Sequence, residues 1–483
     1  MEKRESSRIL FIIVLALMTA DSCLQTQMFY IGGLGIYYHL FTKTAIIALG
    51  ALVFMIRPRL DRLMALWKQV WILLLPILMP AAWSVFPWIA GTAENSEVRR
   101  GFVLIGYLFF GVLAMAFSAY MMGEKAALMY LCSLLFSNLY AIVIVVRDNG
   151  LVAFLDEFRI LLMTLSVTTG DIMKQLEIHR ITYGIGPFLV FFLVQKKEMR
   201  KGWPLFLVAL FCFLTGLKRI ASVAVIVAVV IGNLFLLFRR FRGVERAILK
   251  TMGVLFPILA FAYVAAVHFG LYDYLESLGL DFNYRAEINR YWGQYATMSP
   301  LFFGNGTGWV ENLFQMWNTG QLKAPAMGAY ISHNDYLRNY IELGMVGFFI
   351  WCYLRCNYQV KKAFDILGEE GGILALSMII YMAITWIADP TSTQIYINCA
   401  VCVSLLSYHL REREKQCREV LELNNRMRCE PEWDSAQRTD YVKARRKIEN
   451  ESAEGQRDRS DLSGREISPG VFGIPYGTDV KRN

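Results

Sequence analysis

His333, Asn334, Asp335 and Glu342 share one short stretch, Ser332-His333-Asn334-Asp335-Tyr336-Leu337 followed by Glu342, Gly344 and Gly347. An imidazole held at such a place can take a proton from a hydroxyl, the work of a general base. The stretch runs into an apolar segment, which makes Asn334 or Asp335 the N-cap of a helix whose positive end attracts anions. Asp335, Asn339 and Glu342 fall at i, i+4 and i+7 and form one polar stripe, while Arg338 and Glu342 are spaced to pair. Three cations stand out elsewhere. Lys218 and Arg219 lie between two apolar runs, just before Ile220 opens the second, and Arg285 lies in a long loop. Charged groups beside apolar spans are costly unless they have partners or a task. Guanidinium groups suit bidentate contact with phosphate oxygens. Each residue also has a plainer reading. His333 is then a hydrogen-bond partner of a loop carbonyl, Arg219 a side chain reaching for lipid headgroups, and Arg285 an ion-pair partner of Glu287 or Asp281. His39, His179, His268 and His409 have no motif around them and read as structural. Lys43, Arg99, Arg100 and Arg180 are secondary phosphate-binding candidates.

The scaffold that must hold these residues follows from composition. Of 483 residues 56% are hydrophobic and only 18% charged, against about 25% charged in ordinary soluble domains. With 14% aromatic residues the chain is no disordered polymer. An all-α, polytopic membrane protein is expected. The net charge of +9 needs no nucleic-acid partner, because cytoplasmic loops of membrane proteins collect Lys and Arg. The nine cysteines are scattered, and the one C-x-x-C pair, Cys399 and Cys402, sits in an apolar run without a second pair, so neither a disulfide framework nor a structural metal is indicated. No DxD-type carboxylate pair marks a metal site.

Twelve runs are long and apolar enough to be read as spans: 9–29, 34–56, 69–90, 101–122, 126–146, 180–195, 203–217, 220–238, 247–268, 338–356, 371–388 and 390–408. The 151–169 stretch, with Asp156, Glu157 and Arg159, reads as an interfacial helix. Lys and Arg crowd into 57–68, 196–201, 239–250 and 355–362, which places both termini in the cytoplasm, the Lys125 turn being the exception to the bias. The first span is read as an uncleaved helix. Residues 1–408 then form the membrane domain, and 409–483, with nearly balanced charge and few large apolar residues, a mostly disordered cytoplasmic tail. One large external loop, 269–337, remains. It is rich in aromatics and glycines, so order is expected. Tyr284, Ile288, Tyr291, Trp292 and Tyr295 repeat at helical spacing behind Asp281, a candidate N-cap. Leu301–Gly308 reads as a tight turn, and Trp309–Trp317 as a short helix suited to a bilayer surface.

The motifs, taken in order, resemble one family. His333-Asn334-Asp335-Tyr336-Leu337 with Glu342-Leu343-Gly344-Met345-Val346-Gly347 resembles the His-Asn-x-x-Leu…Glu-x-Gly-x-x-Gly signature of the O-antigen ligase and polymerase superfamily. Leu214-Thr215-Gly216-Leu217-Lys218-Arg219 looks like the family's Thr-Gly-Ser-Arg-Gly segment, Arg285 like the Arg that opens its long external loop, and Phe303-Gly304-Asn305-Gly306 like its Phe-Gly-x-Gly turn. The resemblance covers about residues 200–360 and departs at Lys218 and Ile220, where the family has Ser and Gly. It implies a GT-C-like, metal-independent and cofactor-free glycosyltransferase on the outer face of the bacterial cytoplasmic membrane. Its donor would be an undecaprenyl-pyrophosphate-linked oligosaccharide. His333 would be catalytic; Arg219, Arg285 and Lys218 would bind the pyrophosphate; Asn334, Asp335 and Glu342 would support them. Cations aimed at a leaving pyrophosphate stabilise the transition state more than the ground state.

A polymerase extending a surface polysaccharide and a ligase moving the glycan to a lipid or protein acceptor both fit, and the altered flanks of Arg219 lean toward the polymerase. The expected partners are the lipid-linked donor, the glycan acceptor, membrane lipids, and a chain-length regulator or flippase of the same pathway, with no nucleic acid. A transporter or flippase is the reading from another class. It would show repeated halves and a polar path through the midplane, whereas the halves here look unlike each other. A non-catalytic membrane scaffold is the third.

Overall fold

The computed structural model describes residues 2–23, 35–90, 94–123, 125–164, 171–195, 202–216, 218–238, 243–279, 285–325, 328, 332–389 and 391. The expected span 390–408 apart from Thr391, the tail 409–483, and Asp281 and Tyr284 lie outside them. Every regular element among the described residues is a helix. Four are long and apolar enough to cross a membrane: Asn95–Met122, Lys125–Asn149, Arg219–Phe238 and Ala247–His268. The shortest of these has 20 residues and at about 1.5 Å per residue matches a hydrocarbon core of about 30 Å. Shorter apolar helical stretches lie at Leu40–Ile56, Leu74–Ile89, Ile181–Val194, Trp203–Thr215 and Gly371–Thr385. The expected interfacial segment is a helix over Leu151–Thr164. The described residues are thus all-helical in their regular structure, with apolar helices that fit membrane association.

For the elements around the site we use α1 for His179–Val194, α2 for Arg219–Phe238, α3 for Val244–His268, α4 for Arg285–Gly293, α5 for Trp309–Asn318, α6 for Asp335–Tyr353 and α7 for Gln359–Thr385. Small residues let α2 approach α7 closely: Ala221, Ala224, Ala228 and Gly232 are buried, and Gly232 abuts Ser377. Both sequence-expected loop helices form, as α4 and α5. Ile288 and Trp292 of α4 are buried, and the Trp292 ring lies 5.3 Å from that of Trp317 in α5.

The expected single span 338–356 is not one straight helix. Gly344 has φ 67° and ψ −175°, which interrupts α6. The rings of Tyr340 and Phe348 are 5.7 Å apart, although eight residues of straight helix would separate them by about 12 Å. Tyr336 and Trp351 both pack on Trp386, at 5.7 and 5.1 Å. The chain therefore reverses at Gly344, and α6 is a helical hairpin with Gly344 at its tip. A side chain at Gly344 would overlap the backbone of Phe302, Phe303 and Gly304, and the reciprocal is true of Gly304 against Glu342 and Gly344. Three backbone bonds close this junction: Asn305 N–H to Ile341 O (3.0 Å), Gly306 N–H to Glu342 O (2.9 Å) and Met345 N–H to Phe302 O (3.0 Å). The Phe-Gly-Asn-Gly and Glu-x-Gly motifs, some forty residues apart in the chain, are two halves of one joint.

Candidate active site

The start of α6 is fixed first. Asn334 is its N-cap, its side-chain oxygen accepting from Leu337 N–H at 3.1 Å, while its Nδ2 donates to the Tyr263 hydroxyl at 3.0 Å. Asp335 N–H donates to Trp386 O at 2.9 Å and Tyr336 Oη to Ala383 O at 2.9 Å. These bonds tie the His333 loop to the end of α7. There the chain turns, and Asp389 N–H closes back on Thr385 O at 3.0 Å.

The result is a convergence on Asp389. His333 Nδ1 lies 3.4 Å from Asp389 Oδ1, long and poorly aligned for a hydrogen bond. Tyr183 of α1 donates its hydroxyl to Asp389 Oδ2. Arg285, the first residue of α4, places Nη2 3.8 Å from the same oxygen. Burial pushes the Asp389 carboxyl up, but the His333 contact, the charge of Lys218, the Tyr183 hydroxyl and Arg285 outweigh it and hold it down at about 2. Asp389 is therefore a carboxylate at any physiological pH. It is almost fully covered, whereas the Arg285 side chain is 42% exposed, so the guanidinium keeps an open side for a ligand.

Lys218 is buried and pairs with Glu177 in the turn before α1. Arg219 is the first residue of α2 and is exposed. Lys218 and Arg285 thus stand as two cations against the carboxylates Glu177 and Asp389, with Arg219 next to Lys218 in the chain. Of the expected supporting residues, Asn334 and Asp335 sit beside His333. Glu342 sits elsewhere: near the hairpin tip it lies 3.7 Å from Arg338 Nε and accepts from Val310 N–H at 3.2 Å, holding the first turn of α5. Asp335, Asn339 and Glu342 remain on one short helical leg, but its two ends serve different tasks.

The secondary candidates have other partners. Lys43 is buried against Asp21 at 2.9 Å, with Thr42 donating to the same carboxylate at 2.6 Å, which explains why the first apolar run turns polar. Arg100 pairs with Glu311 at 3.1 Å and ties helix Asn95–Met122 to α5. The side chains of His39, His179 and Arg180 lie outside the described set, and Arg99 is exposed. His268 contacts Gly293 O through Nδ1 at 2.8 Å. Among the described residues no three His, Cys, Asp or Glu side chains are grouped to hold a metal ion.

Sequence reasoning passed over Asp389, Tyr183 and Glu177. Asp389 carried a readable signal: a lone acid at the end of an apolar run is costly without a partner. Tyr183 is one of many tyrosines in apolar stretches and had none. Comparison with known proteins returns no matching family model and no matching curated protein.

Proposed function

We propose that this protein is a membrane glycosyltransferase of the O-antigen ligase and polymerase kind. It would extend a surface polysaccharide from undecaprenyl-pyrophosphate-linked repeat units at the outer face of a bacterial cytoplasmic membrane, within a GT-C-like domain of about twelve spans. The observation that carries the reading is the meeting of His333, Arg285 and Lys218, three residues singled out for base and phosphate chemistry, around the buried carboxylate of Asp389.

In this reading the acceptor hydroxyl attacks the anomeric carbon of the donor, and the bond from that carbon to the pyrophosphate oxygen breaks. His333 takes the hydroxyl proton at Nε2, and Asp389, facing Nδ1, stabilises the imidazolium so formed. The departing lipid pyrophosphate gathers negative charge next to Arg285, Arg219 and Lys218. Asp389 and Glu177 keep two of these cations oriented between turnovers.

The test uses the purified full-length protein in lipid with an undecaprenyl-pyrophosphate-linked oligosaccharide. Wild-type protein is expected to yield longer glycans, and His333→Ala and Arg285→Ala to yield none above background while remaining folded. No elongation by wild type across several repeat-unit donors, or undiminished elongation by both variants, overturns the proposal.

A further inference from the structure

Beside the Asp389 centre lies a cavity of about 310 Å³ that the proposed chemistry does not use, at the C-terminal end of α3 against α4. Its walls include His268, Phe269, Tyr272, Asp273 and Arg290. That volume falls at the small end of ligand cavities, which run from about 300 to 1,000 Å³. We propose that this cavity is a subsite for one neutral sugar residue. Naming that sugar as part of the glycan acceptor rests on the glycan-transfer reading; the sugar site itself does not.

The lining has the pieces that a hydroxyl-rich ring requires. Asp273 and Arg290 are locked together, Arg290 Nε donating to Asp273 Oδ1 at 2.8 Å, yet each side chain is about half exposed, so each keeps hydrogen-bonding capacity for a ligand. His268 uses Nδ1 on the Gly293 carbonyl at 2.8 Å. A carbonyl only accepts, so Nδ1 carries the hydrogen and the neutral ring presents Nε2 as an acceptor. Phe269 is 77% exposed at the rim and offers an aromatic face, whose negative quadrupole suits the C–H face of a sugar ring.

Charge selects among sugars. Arg290 faces two carboxylates, Asp273 and, at 3.5 Å, Glu276. The local balance is negative, which repels a uronic acid or a phosphorylated sugar and favours a neutral one.

The cavity is also connected to the centre. Tyr272 Oη lies 3.1 Å from Tyr263 Oη, which accepts from Asn334 Nδ2 at 3.0 Å, next in sequence to His333. Arg290 follows Arg285 by five residues on α4, about 8 Å along the helix axis, and the charge of Arg285 reaches Tyr272 of the cavity wall, so a glycan bound at the centre can extend into the cavity. Exposed pairs such as Arg290–Asp273 contribute little to stability, so their removal leaves the fold intact.

The experiment measures saturation-transfer NMR on the full-length protein in lipid nanodiscs. The probes are methyl glycosides of glucose, galactose, mannose and N-acetylglucosamine, with methyl glucuronide as the acidic counterpart. At least one neutral glycoside is expected to bind. An Asp273→Asn/Arg290→Gln double variant, folded as judged by circular dichroism, is expected to bind it at least about tenfold more weakly, the loss of one charge-assisted hydrogen bond. Absence of binding by every neutral glycoside, equal binding by the double variant, or preference for the glucuronide overturns the proposal. The two readings separate cleanly. Glycoside binding without elongation by wild type leaves the sugar site standing and removes the transferase. Elongation without glycoside binding does the reverse. Where both hold, the double variant is expected to raise the acceptor KM about tenfold or more, with the effect in KM rather than kcat.

Discussion

Asp389 gathers a histidine, a tyrosine and an arginine on one buried carboxylate, so its loss touches every part of the proposed chemistry at once. Asp389→Asn keeps the shape but removes the charge that steadies an imidazolium at His333. Elongation is expected to fall by about 10²-fold or more, with donor binding retained through the cations; normal turnover would deny the role. Arg285→Lys is expected to restore activity only in part relative to Arg285→Ala, because an ammonium cannot reproduce the planar fork. The carboxyl of Asp389 is lowered from 3.8 to about 2 in the folded chain, so the unfolded chain holds this proton more tightly. The resulting stabilisation, roughly 2 kcal/mol, is fully present above about pH 4 and is lost as the pH falls through about 2. Thermal unfolding of wild type against Asp389→Asn is therefore expected to show a difference that shrinks as the pH falls from about 4 towards 2. A difference unchanged over that range would deny the lowered carboxyl.

At the scale of elements, the hairpin of α6 decides where His333 sits. Its tip at Gly344 needs a left-handed backbone and tolerates no side chain against Phe302 and Gly304. Gly320 makes a clean comparison, with φ 72° and nothing within reach of an added methyl. Gly320→Ala is expected to cost about 1 kcal/mol from the backbone alone. Gly344→Ala adds backbone overlap and is expected to cost well beyond that and to abolish elongation; equal thermal shifts in the two variants would deny the joint. The joint marks the limit of what the sequence carried. The cap at Asn334, the pairing of Arg338 with Glu342, and the helices α4 and α5 were legible, because caps and helical spacing are local. The reversal at Gly344 was not. Apolar residues continue through Phe348, Phe349 and Trp351, and a glycine inside an apolar helix is common in membrane spans. The turn shows only in tertiary contacts, those of Tyr340 with Phe348 and of Gly344 with Gly304, forty residues earlier. The partners of Asp389 were hidden for a related reason: they arrive from α1, α4 and the His333 loop, all distant in sequence. Asp21 and Lys43 were likewise separate oddities until the fold paired them.

For the whole molecule, the proposal demands that His333, Arg285 and the sugar-sized cavity face the side from which lipid-linked glycan arrives, and that the basic loops face the other. The helix α3 offers the ruler. Lys250 lies near its start and His268 ends it, eighteen residues later, about 27 Å along the axis, close to the thickness of a bilayer core. Ser277 and Thr319 are exposed in the segment 269–337 that follows α3. Lys250 and Lys361 are exposed in segments that the positive-inside bias assigns to the cytoplasm. In a background with the nine native cysteines replaced, single cysteines at Ser277 and Thr319 are expected to react with a membrane-impermeant maleimide added to intact spheroplasts. Single cysteines at Lys250 and Lys361 are expected to react only after the membrane is opened. The opposite pattern would put the Asp389 centre on the cytoplasmic side, where an undecaprenyl-linked repeat unit is still being assembled, and would remove polymerisation while leaving the geometry of the site intact. Labelling of all four positions from outside would show that α3 does not cross the membrane, and the span assignment would fall with it.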